Sequence, residues 1–439
     1  MKYAVAIISI AIFSFIANSS KAENEPVSPK YAIKAGKILT MAAVKDSANS
    51  NSVINHGIIL VSNGKIEALG TASSIQVPEE YTVINARDRW VMPGIVEAHT
   101  HIAVEGWGFN DMVTPINPEL GIAESVNLED LTVREAIAGG VTTIHTMPGS
   151  GTNIGGFTVI TKLDSSCPEK MIVRELGAMK ATQAYNPERR GGDLGLTRMG
   201  MSWSLRQMLK RAKEYTDAWE AYEQGLREKK PEYKPELEKM RQVFRREIPV
   251  IVHTYEGWGV MQTIRMFNDE NNLKVIATHT AGGGYKIGAE AAKRDSVSIN
   301  IGPRIVDIGW SADTDNRFHG MGAEYFKAGV RNLSINTDAV GLGSQEGLAL
   351  QASMSARLGL DDEVALRAIT INSALALGID DRVGSLEGGK DADIVIKKSS
   401  LLDVTTPVDL VLINGKIIYQ RKDADLVVKE DLTTTEKEQ

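Results

Sequence analysis

Between residues 91 and 380 the chain alternates short apolar runs, rich in β-branched residues, with helical patterns. Short runs of this kind are typical of strands in a parallel sheet that is buried on both faces. The runs lie near residues 93–102, 140–147, 157–162, 175–181, 248–255, 274–281, 296–302 and 332–338. Eight strands that alternate with helices predict an α/β fold, namely a (β/α)8 TIM barrel over residues 91–380.

The segments that flank the predicted barrel carry a different strand signal. Residues 30–90 and 383–423 each contain apolar runs that are joined by an Asn-Gly pair, Asn63-Gly64 in the first segment and Asn414-Gly415 in the second. Asn-Gly suits a tight hairpin, because both central residues of a type I′ turn need a positive φ. We therefore expect a small composite β-sandwich domain that is formed by both ends of the chain.

A long helical pattern separates the fourth and fifth predicted strands. Apolar residues recur at three- and four-residue spacing from Leu205 to Tyr222, before the pattern breaks at Lys229-Lys230-Pro231. We interpret residues 198–247 as a helical insertion that covers the barrel or forms a contact surface for a second copy of the chain. A homo-oligomer is therefore one expectation from the sequence.

Side chains that bind metals follow several of the predicted strands. His99 and His101 lie two residues apart, so a strand directs both imidazoles to the same face. His253, His279 and Asp338 each end a later β-branched run. Because the carboxyl ends of the strands share one rim in a TIM barrel, the sequence predicts a metal site built from the first, fifth, sixth and eighth strands.

These motifs resemble those of the amidohydrolase superfamily, and within it the imidazolonepropionase-like branch that also contains metal-dependent dipeptidases. The resemblance rests on the run from Val91 to His101, on the later ligands and on the closing run from Val383 to Ile396. It covers about residues 30–423 and implies a metal-dependent hydrolase that cleaves a carbon–nitrogen bond in a small molecule. It also implies a bridging ligand on the fourth strand, where Lys180 falls at the position of a lysine that carbon dioxide carboxylates in one subgroup.

The implied site holds two divalent metal ions, with zinc as the default. One ion would take His99, His101, Lys180 and Asp338 as ligands, and the other would take Lys180, His253 and His279. A hydroxide between the ions would attack the scissile carbon, and Asp338 would carry the proton to the leaving nitrogen. Lys180 would serve as a carbamate, because an ammonium group repels cations. The alternative for Lys180 is an unmodified lysine that pairs with a carboxylate.

Four further residues are candidates for the site. Tyr255 after the fifth strand, Arg304 after the seventh and His145 at the end of the second are candidate substrate-binding residues. Arg304 could hold a substrate carboxylate. A structural role is the alternative for each. Glu97 shares a face with the first ligand pair, where the family more often has aspartate, and we expect it to orient a ligand histidine.

Three functions remain open from the sequence. The first is a binuclear hydrolase of an amide, peptide or cyclic amide bond. The second is a mononuclear deaminase or imidazolone-type hydrolase, in which Lys180 is not a ligand. The third is a non-catalytic relative that uses the barrel as a binding scaffold. The number of metal ions per chain separates the first two.

Charge and the first residues of the chain bear on partners and location. The formal net charge of −7 gives no basis for nucleic-acid binding. Lys2 precedes the apolar residues 4–16, and Ser20-Lys21-Ala22 supplies small residues before a cleavage point, so residues 1–22 are predicted to be a signal peptide. The apolar segment is too short for a stable membrane anchor. We expect cleavage after Ala22, export to a bacterial periplasm, and a polar tail over residues 424–439.

Overall fold

The computed structural model describes most of the chain beyond the predicted signal peptide. Its described residues are 29–42, 52–104, 108–164, 168–184, 186–189, 197–303, 318–341 and 347–426. The signal peptide, Arg304 and most of the predicted polar tail lie outside these residues. The strands are β1 (Tyr31–Leu39), β2 (Val53–Asn55), β3 (Gly57–Ser62), β4 (Lys65–Thr71), β5 (Thr82–Pro93), β6 (Ile95–Thr100), β7 (Val141–Thr146), β8 (Ile154–Phe157), β9 (Val159–Lys162), β10 (Ile172–Arg174), β11 (Met179–Thr182), β12 (Val250–Thr254), β13 (Val275–His279), β14 (Val297–Ile301), β15 (Leu333–Ile335), β16 (Ile394–Lys397), β17 (Val408–Ile413) and β18 (Lys416–Gln420).

Helices pack against several of these strands. They are α1 (Leu131–Ala138), α2 (Pro168–Met171), α3 (Arg198–Glu223), α4 (Pro235–Glu238), α5 (Met240–Phe244), α6 (Gly257–Thr263), α7 (Gly288–Ala291), α8 (Met321–Lys327), α9 (Gly347–Arg357), α10 (Asp362–Ala368) and α11 (Ile371–Leu377). Among the described residues, none of these helices combines the length and the apolar character that a membrane crossing requires.

The central strands confirm the predicted α/β class. Strands β11 to β15 pair in parallel, in chain order, and β6 pairs in parallel with β7. Their side chains are almost all buried, which accounts for the continuous apolar runs in the sequence. Each of the eight predicted runs contains a strand.

The third predicted strand differs from the parallel order that we expected. The chain forms β8 and β9 there, and these pair antiparallel with β11 and β7. Only residues 147–153 separate β7 from β8. A parallel connection needs a crossover of about a dozen residues or more, so this short loop returns the chain in the opposite direction.

The first and last central strands end side by side. The backbone N–H of Asp338, beyond β15, donates to the carbonyl oxygen of His99 at 3.3 Å, and the N–H of His101 donates to the carbonyl of Ala339 at 2.8 Å. Residues distant in sequence therefore meet at the carboxyl end of the sheet.

Both ends of the chain contribute to one eight-stranded sheet. Its order is β18-β17-β16-β5-β1-β3-β4, and β2 pairs with β1. The C-terminal strand β16 pairs antiparallel with β5 from the N-terminal segment. The Asn-Gly turns join β3 to β4 and β17 to β18, and Asn63 and Asn414 have φ values of 52° and 48°. The sheet is thus composite, whereas its closure into a sandwich stays a prediction.

Helix α3 occupies the position of the predicted insertion. Thr197 caps its start by accepting a hydrogen bond from the N–H of Gly200 at 3.2 Å. One face of the helix is buried and includes Leu205, Met208, Leu209, Ala212 and Tyr215. The apolar face predicted from the sequence therefore packs against the core of the protein.

Candidate metal centre

Two histidines and an aspartate converge at the carboxyl end of the central strands. The Nε2 atoms of His99 and His101 each lie 3.2 Å from Oδ1 of Asp338. One ligand atom from each of these residues lies within 4.8 Å of the other two. His99 is fully buried, whereas about a third of the Asp338 side chain is exposed. The group is therefore anchored in the core and open on one side.

The hydrogen bonds of the Nδ1 atoms in His99 and His101 determine which ring nitrogen carries the proton. Nδ1 of His99 lies 2.8 Å from the hydroxyl of Thr278, which donates its own proton to Oδ1 of Asn300. Nδ1 of His101 lies 2.8 Å from the carbonyl oxygen of Met147. A carbonyl only accepts, and the threonine proton is already used, so both Nδ1 atoms donate. Both Nε2 lone pairs then face the carboxylate, and such a convergence of acceptors suits a cation.

Two further histidines lie beside this group and carry buried nitrogens with no hydrogen-bond partner among the described residues. The ring of His279 lies 4.9 Å from that of His99 and 4.5 Å from that of His253, measured between centroids. His279 donates from Nδ1 to the carbonyl of Gly302 at 2.8 Å, which leaves its Nε2 unpartnered. Nδ1 of His253 is also unpartnered. Buried polar atoms normally have partners, so these two nitrogens fit the role of metal ligands.

Lys180 reaches the same group from β11. Its side chain is fully buried, and Nζ lies 3.3 Å from Nε2 of His99 and 3.3 Å from Sδ of Met147. Burial lowers the pKa of the Lys180 amine to about 7, although Asp338 opposes this shift. A substantial fraction of this amine is therefore neutral at neutral pH.

The electrostatics of the site favour neutral imidazoles beside an ionised carboxylate. Burial lowers the pKa of His99 and of His253 well below the ordinary value of histidine. Burial opposes the ionisation of Asp338, but the adjacent His279, His101 and His99 outweigh it and hold the pKa of this carboxyl well below its ordinary value. Neutral imidazole and carboxylate are the forms that bind metals.

Two of the predicted ligands have an unusual backbone conformation. His279 has a φ of 70° and Asp338 a φ of 52°. Non-glycine residues rarely adopt this left-handed region, and such conformations are concentrated at functional sites. In both cases the chain turns at the end of a strand, which directs the side chain towards the shared group.

Glu97 acts on the backbone next to the ligands. Its buried carboxylate accepts from the N–H of His99 at 3.0 Å and from the N–H and hydroxyl of Thr337 at 3.2 and 2.8 Å. These bonds tie β6 to the residue that precedes Asp338. They act on the main chain of His99 and of the residue before Asp338, and the expected role of Glu97 in orienting a ligand histidine stays a prediction.

The remaining predicted site residues are buried within the protein or are not described. His145 is fully buried, with Nδ1 2.9 Å from the carbonyl of Ala98 and Nε2 2.5 Å from the hydroxyl of Thr158. Both ring nitrogens are thus used within the protein, which favours the structural alternative. Tyr255 is 8% exposed and packs in the hydrophobic core. Arg304 lies outside the described residues.

A cleft of about 470 Å³ opens onto this candidate metal-binding group. His101, His253 and Asp338 form its inner end, and Phe109 stacks on His101 with ring centroids 5.3 Å apart. Asn110, Ser150, Asn186 and Val340 are among its other lining residues. The sequence analysis did not identify these as site residues, because their positions depend on loops that carry no periodic signal.

Comparisons with known proteins find similarity to amidohydrolases. The model of the Amidohydrolase family matches residues 321–418, which include Asp338. The amidohydrolase tasK of Hapsidospora irregularis is 26% identical over 82% of this chain, but the match spans only 39% of that longer protein. The imidazolonepropionase of Rhizobium rhizogenes is 26% identical, and the match covers 87% of this chain and 94% of that protein.

A solved structure supports the same assignment. The crystal structure of an amidohydrolase from Thermotoga maritima MSB8 superimposes with a TM-score of 0.78 and is 26% identical. The superposition covers 89% of this chain and all of the other. The family match, the curated relatives and this structure agree with the motifs and with the geometry of the site. Together these findings support assignment of the chain to the amidohydrolase superfamily, in its imidazolonepropionase-like branch, as a hydrolase that acts on carbon–nitrogen bonds.

Proposed function

We propose that the protein is an exported, binuclear metal-dependent amidohydrolase that cleaves an amide, peptide or cyclic amide bond. His99, His101, Lys180 and Asp338 would hold one divalent ion, and Lys180, His253 and His279 would hold the other. The observation that carries this proposal is the pair of buried, unpartnered nitrogens, Nδ1 of His253 and Nε2 of His279. They lie beside the group of His99, His101 and Asp338, which can hold an ion by itself.

Lys180 is the candidate bridge between the two ions. Its amine is enclosed among the ligands, and its lowered pKa supplies the neutral form that can attack carbon dioxide. The attack joins nitrogen to the carbon of carbon dioxide and releases one proton, which gives an anionic carbamate. Two carbamate oxygens suit a pair of cations, whereas the ammonium form would repel them. Zinc is the default ion for a set of imidazole and oxygen ligands.

Asp338 is the residue that would move the proton. Bound divalent ions supply Lewis acidity, which polarises a carbonyl group and lowers the pKa of water. The ionised Asp338 accepts the proton of the attacking water and later donates it to the nitrogen of the breaking carbon–nitrogen bond. One third of its side chain is exposed towards the cleft, so this carboxylate can meet both the water and the substrate.

The fold proposed around this site is a closed (β/α)8 barrel with a terminal β-sandwich. The hydrogen bonds between the ends of β6 and β15 support closure. We also propose that residues 1–22 are a signal peptide that is removed after Ala22, followed by export to a bacterial periplasm. Sequencing the N-terminus of the protein from its native host tests this, with Glu23 as the expected first residue and an intact Met1 as the contradicting result.

A mononuclear deaminase or imidazolone-type hydrolase is the second candidate function. It is favoured by one observation, namely that His99, His101 and Asp338 form a ligand group without Lys180. The test is to purify the chain with zinc, measure zinc per chain, and screen dipeptides, N-acyl amino acids, lactams and lactones for hydrolysis. Two ions per chain with amide hydrolysis support the binuclear proposal. One ion per chain supports the second candidate, and no turnover of any amide contradicts the first.

A further inference from the structure

Asn110 lines the cleft in front of the metal-binding group but belongs to none of the ligand positions. Its side-chain Oδ1 accepts a hydrogen bond from the backbone N–H of Gly151 at 3.1 Å. This bond fixes which side of the amide is oxygen, so Nδ2 carries the two protons. No described residue accepts a hydrogen bond from Nδ2. Asn110 therefore presents an oriented donor at the cleft.

The glycine-rich loop at residues 149–151 is shaped around this amide. A Cβ atom on Gly149 would lie 2.3 Å from Nδ2 of Asn110, and one on Gly151 would lie 2.7 Å from Oδ1. A side chain at either position would displace the Asn110 amide. The same loop holds the preceding residue, because the N–H of Gly149 donates to the carbonyl of Phe109 at 2.8 Å. Two hydrogen bonds donated by backbone N–H groups of the loop thus hold Phe109 and Asn110 in place.

The position of Phe109 connects this arrangement to the ligands. Its ring stacks on His101 with an angle of 24° between the ring planes. The donor on Asn110 and the apolar surfaces of Phe109 and Val340 therefore face the same cleft as Asp338. Among the described lining residues, the side chains beyond the imidazoles and Asp338 are uncharged. An uncharged oxygen next to an apolar group suits this wall better than a carboxylate does.

We infer that Asn110 is a substrate-positioning residue, whose Nδ2 donates to a carbonyl oxygen of an uncharged acyl amide that carries an apolar side group against Phe109 and Val340. The inference rests on the proposed function for its amide chemistry. The substitution Asn110→Asp separates this role from a purely structural one. The introduced carboxylate retains an oxygen that can accept from Gly151, so the loop stays held, but it has no proton to donate.

The experiment measures binding without turnover. N-acetyl-L-phenylalaninamide is titrated calorimetrically into the zinc-loaded Asp338→Asn chain, alone and combined with Asn110→Asp, Asn110→Ala or the exposed control Asn85→Asp. We expect both Asn110 variants to weaken binding about tenfold or more, because the site loses a donor to a substrate oxygen. The control is expected to bind like its parent, and Asn110→Asp to retain the melting temperature of the parent.

Three results would overturn the inference. The first is that the amide does not bind to the parent, and the second is that Asn110→Asp binds it within twofold of the parent. The third is a loss of binding confined to Asn110→Ala, which would assign Asn110 to the loop alone. N-acetyl-L-phenylalanine serves as the charged probe, and tighter binding of this acid than of the amide would overturn the uncharged class. The proposed function is tested by a separate measurement, and it fails if the zinc-loaded wild type hydrolyses no amide.

Discussion

Asp338 contacts His99 through both its backbone and its side chain. Its N–H donates to the carbonyl oxygen of His99 at 3.3 Å, and its Oδ1 lies 3.2 Å from Nε2 of the same residue. The main-chain bond fixes the distance between the first and last central strands where the ligand atoms meet. The backbones of these two candidate ligands are therefore held at a distance that the scaffold sets.

Replacing Asp338 with asparagine tests its role in proton transfer. We expect turnover to fall by about 10²- to 10⁴-fold, since an amide cannot accept the proton of the attacking water. Asparagine tolerates the positive φ at this position and keeps one oxygen towards the ions, so zinc content should stay close to that of the wild type. Steady-state kinetics and metal analysis provide the readouts, with the exposed Asp362→Asn as control. Full residual activity would reject the assignment.

Replacing Lys180 with methionine tests the bridging carbamate. Methionine is of similar length but cannot react with carbon dioxide, so we expect the zinc content to fall from two ions per chain to one or fewer. In the wild type, binding of the second ion should require bicarbonate when the metal-free chain is reloaded. The variant should show no response to bicarbonate, and the exposed Lys210→Met should behave like the wild type. Two zinc ions in Lys180→Met would contradict the bridge.

Glu97→Gln is expected to weaken both the fold and the metal site. The introduced glutamine retains one acceptor oxygen, but its NH2 group would face a backbone N–H that Glu97 now satisfies. Loss of hydrogen bonds to a charged group corresponds to about 2 kcal/mol in the free energy of unfolding. Zinc affinity should fall about tenfold or more, because residues that support ligands have effects of this size. Urea unfolding and zinc titration measure these changes, and Glu129→Gln is the exposed control. An unchanged zinc affinity would restrict Glu97 to stability alone.

The burial of His145 leads us to predict that the free energy of unfolding depends on pH. Burial lowers its pKa to about 3 in the folded protein, against an ordinary value of 6.5. Between these values the unfolded chain binds a proton that the folded chain does not, so acidification favours unfolding. From pH 7 to pH 5 this contribution is about 2 kcal/mol.

The matched variant is His145→Gln, because the glutamine side chain does not bind a proton between pH 5 and pH 7. It should be less stable than the wild type at pH 7, since it loses buried hydrogen bonds to Ala98 and Thr158. The difference in unfolding free energy between the two proteins should narrow by about 2 kcal/mol at pH 5. A difference that stays constant over this range would show that His145 is protonated equally in both states.

The sequence predicted the central strands well because each is a short, buried, β-branched run. The candidate ligands at their ends were predicted from the rule that parallel strands share one functional rim. The direction of the third strand was wrong, because apolar runs carry no information about direction. The seven-residue loop at 147–153 is the feature that determines it.

Other parts of the site could not be predicted from patterns along the chain. Two hydrogen bonds, from His99 to Thr278 and from Thr278 to Asn300, connect neighbouring strands, and they depend on the register of those strands. The fit of Asn110 against Gly151 depends on how two loops pack together. Periodicity describes one element at a time, so it does not predict contacts between elements or between loops.

Anomalous diffraction at the zinc edge, from crystals of the zinc-loaded chain, tests the central claim most directly. The account predicts two peaks, one bounded by His99, His101 and Asp338 and the other by His253 and His279, with Lys180 between them. Absence of any peak at these side chains, or zinc bound only elsewhere on the protein, would contradict it.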